Sequence, residues 1–307
     1  MRTRKINVLE TLSNNNINLT TDKSNYATPQ NFEELKNVFG VLSKAKLLDF
    51  FRFDKNYLNI MQNGWLLEAP ISKYGVFDAK EDIPNTLPSY QKAINKNFTL
   101  LIPVQILKDG NIICFKEKTL GSITNENGYI SNFEYKDLKK IKLNDEGLTV
   151  PLLKDTLDLV AGKVPVVIEI MNESVGKLEE ALLKELLEYI EKYNCYNKIA
   201  LLSMNPYSLE WFYRHAPYFT RIIKGCYFEG VRLYASIPTK KLKKLKYATK
   251  VAHADFIAYN SKNIPNPYIQ KHKPYGIIAY GVTDQDEYKE ILEFADNVIF
   301  ANFEPQI

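Results

Sequence analysis

Polar side chains stand at or near the ends of a series of short apolar runs: Glu68, Lys73, Lys116, Glu117, Glu169, Ser203, Asn205, Tyr227, Asn260 and Tyr280. Their types define two chemistries. Carboxylates such as Glu68, Glu117 and Glu169, if they converged, would offer oxygen ligands to a hard divalent cation. Lys73 and Lys116 would instead hold a phosphate group as point charges, or simply stand solvated on loops. Glu169 ends the apolar run VPVVIEI and is expected to be buried. It therefore needs a partner, either a metal ion or a cation such as Lys116.

The elements that must position these groups alternate along the chain. Strands are expected at WLLEAPI (65–71), FTLLIPVQIL (98–107), VPVVIEI (164–170) and IALLSMN (199–205). The set continues with RIIKGCYF (221–228), DFIAYN (255–260), YGIIAYGV (275–282) and NVIFANF (297–303). Most are continuous apolar runs, as strands covered on both faces require. Helical stretches fall between them: TLPSYQKAINKN, VPLLKDTLDLVAG, LEEALLKELLEYIEKYN, SLEWFYRHAP, TKKLKKLKYATK and DQDEYKEILEFA. Repeated strand–helix units of this kind predict an α/β chain folded as a (β/α)8 TIM barrel. No GxGxxG or phosphate loop follows the first strand to support an open doubly wound sheet. The turn-rich stretch KDGNIICFKEKTLGSITNENGYIS, with Asp109-Gly110 as a hairpin signal, predicts a small insertion after strand two.

Residues 1–60 stand apart as an N-terminal extension, and residues 61–307 are expected to form the barrel. The first 30 residues are rich in Asn, Thr and Ser, whereas Phe32, Leu35, Val38, Phe39, Leu42 and Leu47 lie near one helical face after Asn31. The apolar run FFRF (50–53) is read as packing beneath the barrel, with a peripheral membrane contact as the alternative.

Composition narrows the classes further. A formal net charge of +4 with no arginine–aromatic run argues against a nucleic-acid partner. The 3 cysteines form no CxxC pair, so reduced thiols in a cytoplasmic protein are expected rather than zinc or a disulfide framework. No secretory signal and no membrane-spanning window is read from the sequence. The lysine-rich TKKLKKLKYATK is taken as an outer helix with a solvated face rather than a lipid-binding or nucleic-acid-binding one.

Three segments carry a resemblance: residues 83–143, PLLKDTLDLVAGKVPVVIEIMN, and LLSMNPYSLEWFYRHAP. Together the chain from about Trp65 to Phe303 resembles a glycerophosphodiester phosphodiesterase. That resemblance implies metal-assisted hydrolysis of a phosphodiester, with carboxylates on a divalent cation (Ca or Mg) and two histidines as acid and base. It also locates the departures. The His-Arg-Gly after strand one is set against Ala69, Pro70 and Ile71, and the Glu of Glu-Asn-Thr is Pro84, leaving Asn85. The Glu-x-Asp of strand two is Leu101 and Pro103. The second histidine is Lys116, followed by Glu117, and the Glu-x-Lys of strand three keeps Glu169 but has Met171. The tryptophan of strand seven is Tyr280. A rebuilt site from Glu68, Glu117 and Glu169 is disfavoured by strand alternation, because Ala69 rather than Glu68 takes the histidine position.

Leu101 and Pro103 offer no side-chain oxygen, and Lys116 at its ordinary pKa cannot act as a base near neutrality. The expectation is a barrel inactive toward the family's usual substrates, with no cofactor. It would bind a phosphorylated small molecule or a protein partner, including a second copy of itself. The ligand-binding set would be Lys73, Asn85, Lys116, Glu117, Glu169, Ser203, Asn205 and Tyr280, with Glu169 as the one surviving metal ligand. The alternative is an active metal-dependent hydrolase using displaced carboxylates.

Overall fold

The computed structural model describes residues 65–76, 82–122, 128–143, 147–171, 174–195, 198–225, 239–266, 269 and 276–306. It also describes a pair of two-residue strands, Thr20–Thr21 and Ala27–Thr28. The expectations for the remainder of residues 1–60 and for Tyr227 lie outside the described residues, as do Cys226 and His272.

Eight parallel strands close into a barrel. They are β1 (Ile71–Lys73), β2 (Thr99–Ile106), β4 (Val166–Ile170), β5 (Ile199–Ser203), β6 (Thr220–Lys224), β7 (Phe256–Asn260), β8 (Gly276–Val282) and β9 (Asn297–Phe300). Each pairs with its sequence neighbour in the barrel, and β9 closes the ring against β1 through Ile299↔Ile71. Strand β3 (Ile112–Cys114) instead runs antiparallel on the upper end of β2, with Val104 opposite Cys114. The Asp109-Gly110 turn joins the two. Gly110 takes φ +87°, and the Asp109 carboxylate accepts the Tyr135 N–H at 2.7 Å, tying the turn to helix α3 (Tyr135–Leu138). The insertion has its own small core of Leu107, Ile113, Phe115, Leu120, Ile130, Leu138 and Val150.

The outer layer contains α2 (Leu87–Asn95), α4 (Leu153–Val160), α5 (Lys177–Tyr193), α6 (Pro206–His215), α7 (Thr239–Val251) and α8 (Gln285–Ile291). A large apolar layer, with Tyr90, Leu157, Leu186, Phe212 and Phe300 among its members, fills the space between the helices and the outward faces of the strands. The interior holds Ile71, Leu101, Val167, Ala200, Leu202, Ile222, Ala258, Ile278 and Ile299. Branched side chains stacked in this way make the interior a packed core rather than a pore.

One expected strand divides in two. WLLE is helical, as α1 (Trp65–Glu68), and only Ile71–Lys73 is strand. The cause is the open lower end of the barrel. Leu66 is buried within the interior cluster, and the side-chain amide of Asn297, at the foot of β9, donates to the carbonyls of Leu66 and Ala69. A helical turn plugs that end while presenting its carbonyls to Asn297; a strand would carry Leu66 past it.

No helix among the described residues is long and apolar enough to cross a membrane. Cys114 and Cys195 are buried free thiols, and burial pushes them up to about 12 and about 11.

Candidate functional site at the carboxyl end of the barrel

Strand alternation builds the site directly. Ile71, Leu101, Val167, Ile222 and Ile278 all point into the interior. Two residues further on, the same face carries Lys73, Pro103, Glu169, Lys224 and Tyr280. An apolar layer is thus capped, at the carboxyl ends of five strands, by a layer with three ionisable groups and a phenol. That end is where such barrels hold ligands.

Glu169 is 2% exposed. Its Oε1 accepts from Lys224 Nζ at 2.5 Å, across the interior from β6 to β4. Its Oε2 is buried and has no hydrogen-bond partner among the described residues. Lys224 also lies 5.1 Å from the centre of the Tyr280 ring, whose hydroxyl donates to the Gly225 carbonyl at 3.1 Å. Lys116, after the hairpin, pairs with Glu117 at 3.3 Å on the outer rim.

Lys73 ends β1. No carboxylate among the described residues lies within ion-pair distance of its amine, which stands 5.0 Å from the Tyr74 ring centre. Lys116 approaches the same ring at 5.8 Å. Burial, reinforced by Lys224 and Lys116 and opposed by Glu169 and Glu117, brings the Lys73 ammonium down to about 8. Burial, with Glu169 and Glu117 adding to it, moves the Tyr74 phenol far up, so that it remains neutral.

The backbone beneath Lys73 is locked. The Tyr74 N–H donates to the Leu101 carbonyl at 3.2 Å, and the Tyr74 carbonyl accepts from the Asn85 N–H at 3.0 Å, with Ser89 Oγ at 3.2 Å. Gly75 follows with φ +89°, and a Cβ there would fall 2.5 Å from the Ser89 carbonyl carbon, so only glycine fits this close approach. Asn85 itself takes φ +59° and accepts from the Tyr90 hydroxyl at 3.2 Å.

The structure therefore brings Lys73, Lys116, Glu117, Glu169 and Tyr280 to one end, with Asn85 behind Tyr74. It sorts the other sequence candidates differently. Ser203 Oγ donates to the Ile170 carbonyl at 3.2 Å and accepts the Asn205 N–H at 3.0 Å, while Asn205 caps α6 by accepting from Tyr207 N–H at 3.1 Å. These two hold the β5–α6 turn. Asn260 caps the 3-10 turn after β7 through Lys262 N–H at 3.0 Å. Glu68 is exposed on α1, at the opposite end of the barrel from Glu117 and Glu169. Of the histidines, His215 stacks on Trp211 at the end of α6, and His253 stacks on Tyr213 before β7. Both are at the foot of the barrel.

The strand boundaries correct the placement of the first motif, and the ion pairs show which nearby cation Glu169 takes. The residues after strand one are Tyr74 and Gly75, preceded by Lys73, whereas Ala69, Pro70 and Ile71 lie at the foot of β1. The His-Arg-Gly position therefore falls on Lys73-Tyr74-Gly75, with the glycine alone retained. The partner of Glu169 is Lys224 and not Lys116. Lys224 and Tyr74 were not among the sequence candidates. Their signals were the spacing of Lys224 from Ile222 within RIIKGC and the position of Tyr74 between Lys73 and Gly75.

The donor set does not fit a divalent cation. Among the described residues no three His, Cys, Asp or Glu come together as metal ligands. The one interior carboxylate among the described residues already accepts an ammonium at 2.5 Å; its lateral neighbour on β2 is Pro103, and Leu101 lies one layer below beside Val167. A hard cation needs several oxygens and would have to displace Lys224. What the arrangement can do is hold an anion: three ammonium groups face two carboxylates in a partly desolvated bowl.

Comparison with known proteins agrees with the fold. The model of the Glycerophosphoryl diester phosphodiesterase family matches residues 79–303. A glycerophosphodiester phosphodiesterase of Caldanaerobacter subterraneus subsp. tengcongensis is 28% identical over 149 residues, covering 46% of this chain and 60% of that protein. The Bacillus subtilis protein YqiK is 24% identical over 232 residues, covering 71% and 89%. The structure of a Galdieria sulphuraria putative glycerophosphodiester phosphodiesterase has a TM-score of 0.62 at 17% identity, covering 76% of this chain and 94% of that one. An Oleispira antarctica phosphodiesterase, solved in complex with the product sn-glycerol-3-phosphate, has a TM-score of 0.60 at 18% identity, covering 77% and 94%. A barrel of this strand order, with the hairpin after its second strand and a family match spanning most of its length, is not an isolated architecture: the chain belongs to the glycerophosphoryl diester phosphodiesterase family.

Proposed function

We propose that this chain binds a phosphorylated small molecule at the carboxyl end of the barrel and does not hydrolyse phosphodiesters. The observation that carries the reading is the Lys224–Glu169 pair at 2.5 Å beside Pro103, with Leu101 one layer below. An ammonium stands on the carboxylate that a catalytic cation would require, and neither neighbouring position supplies oxygen. The phosphate would lie among Lys73, Lys116 and Lys224, whose donors suit a dianion as point charges. Glu169 Oε2, buried and without a partner among the described residues, would accept a hydrogen bond from a ligand hydroxyl that reached it. That combination describes a phosphomonoester of a small polyol. The Oleispira relative's complex with sn-glycerol-3-phosphate supports the same class. Action in a reducing compartment such as the cytoplasm belongs to this proposal, given the two buried free thiols.

The test has two arms. Purified protein is given glycerophosphocholine and an aryl phosphodiester with calcium, magnesium or manganese, beside Glu169→Ala. Calorimetry then measures sn-glycerol 3-phosphate binding. The expected result is no turnover above the Glu169→Ala control, with saturable binding of the phosphomonoester. Metal-dependent turnover abolished by Glu169→Ala would overturn the reading in favour of a hydrolase that moves Lys224 aside to use Glu169.

A further inference from the structure

The three mouth lysines are not equivalent. Lys224 is committed to Glu169 at 2.5 Å, and Lys116 sits exposed on the rim against Glu117 at 3.3 Å. Lys73 is partly buried, ends a barrel strand, and among the described residues has an aromatic ring rather than a carboxylate beside its amine. The two carboxylates whose charge reaches it, Glu169 and Glu117, are each paired with a cationic neighbour. An amine partly withdrawn from water, with no described carboxylate at ion-pair distance and with other ammonium groups near, is in the environment that converts lysine from a point charge into a nucleophile. We infer that Lys73 is a covalent capture site for phosphorylated aldehydes, which it takes as an imine while Lys116 and Lys224 hold the phosphate. The inference rests on the phosphate reading above and adds the carbonyl to it.

The chemistry balances without a further reactant. The Nζ lone pair of the neutral amine adds to the carbonyl carbon, and the C=O π pair becomes the oxygen of a carbinolamine. The C–O bond then breaks as C=N forms. The two amine hydrogens leave with the oxygen, so amine plus aldehyde gives imine plus one water. The charged groups around Lys73 are Lys116 and Lys224 on the cationic side and Glu169 and Glu117 on the anionic side. Tyr74 beneath the amine stays neutral, so it adds no charge that would hold the proton on. Burial and the two cations bring Lys73 down to about 8, so a substantial fraction of the amine is neutral near physiological pH. The fixed backbone helps as well. Asn85, Ser89 and Leu101 pin Tyr74 and thereby the stem of Lys73, so little reorganisation separates the resting amine from the reacting one.

The experiment uses the full chain with glyceraldehyde 3-phosphate and sodium cyanoborohydride, which reduces an imine to a stable secondary amine. Adducts are located by peptide mass spectrometry. Lys73 is expected to label at least tenfold faster than the exposed Lys246. Its labelling rate should rise with pH toward about 8, and the label should disappear in Lys73→Arg at unchanged Tm. Unphosphorylated glyceraldehyde should label Lys73 more slowly, and sn-glycerol 3-phosphate should compete. Labelling of Lys73 no faster than of Lys246 overturns the inference. If sn-glycerol 3-phosphate still binds in calorimetry, that failure belongs to the amine alone and the phosphate reading stands. Preferential labelling by both aldehydes without competition would keep the activated amine and remove the phosphate from the site.

Discussion

The Nζ of Lys224, on the fifth barrel strand, lies 2.5 Å from Oε1 of Glu169, on the third. The pair spans the interior just above a layer formed by Val167, Ile222 and their neighbours. Its side chains are 18% and 3% exposed, so it is a desolvated pair rather than a surface one. Such pairs add little net stability compared with an apolar substitute, but removing one partner strands the other.

Lys224→Met is therefore expected to destabilise the fold by roughly 3 kcal/mol, the low end for breaking a buried pair. The double variant Lys224→Met/Glu169→Gln should recover most of that loss. Urea denaturation of the two single variants and the double closes the cycle. Additive losses would show that the two residues are not coupled in solution.

Lys73 gives the site a pH dependence of definite sign. Its folded-state value of about 8 lies below its ordinary value of 10.5, with burial as the main cause. Below pH 8 the amine is charged in both states, and the folded state carries the full penalty. Between about 8 and 10.5 the unfolded chain holds more protons, so Lys73's contribution to stability rises with pH. Stability of the wild type relative to Lys73→Met should therefore increase across that window. Affinity for sn-glycerol 3-phosphate should fall as pH passes 8, and Lys73→Met should lack that step.

Glu185 on α5 makes the opposite prediction at a distance from the site. Burial, with Glu188 adding to it, raises its carboxyl to about 7 from 4.5, and its Oε2 is buried without a partner among the described residues. Between pH 4.5 and 7 the folded state holds more protons than the unfolded one, so stability falls with rising pH through that range. Glu185→Gln should match the wild type near pH 4.5 and exceed it in Tm at pH 8. Equal Tm values at pH 8 would remove the burial argument.

At the foot of the barrel, Arg221 is 6% exposed. Its guanidinium binds Asp255 at 3.0 Å and donates to the carbonyls of His253, Pro217 and Phe219. Arg221→Leu removes the guanidinium from three carbonyls and from Asp255, which keeps the residue 221 backbone N–H at 2.9 Å. A loss of about 3–5 kcal/mol is expected in urea titrations, whereas phosphate-ester affinity, measured below the transition, should be unchanged because the site lies at the other end.

Much of this was legible from local pattern. The apolar runs at 98–107, 164–170 and 199–205 announced buried strands, and each is one. Asp109-Gly110 marked the hairpin, because only a turn with positive φ reverses the chain so tightly. The departures at Leu101, Pro103 and Lys116 needed no coordinates, since a side chain without oxygen cannot bind a hard cation wherever it lies.

What the sequence by itself determined, then, is the repeating strand–helix architecture and the chemical types available at the strand ends. Periodicity and side-chain chemistry are local properties, and they survive without a fold. Tertiary structure alone decided where β1 stops and who pairs with whom. WLLE has the composition of a strand, but the open foot of the barrel and the Asn297 amide draw it into a helical turn. Glu169 and Lys224 are 55 residues apart and meet because the ring closes. Closure also leaves Lys73 without a carboxylate at ion-pair distance among the described residues, since Glu169 is held by Lys224 and Glu117 by Lys116. The distribution of partners among buried charges is a property of the assembled interior, and no single segment contains it.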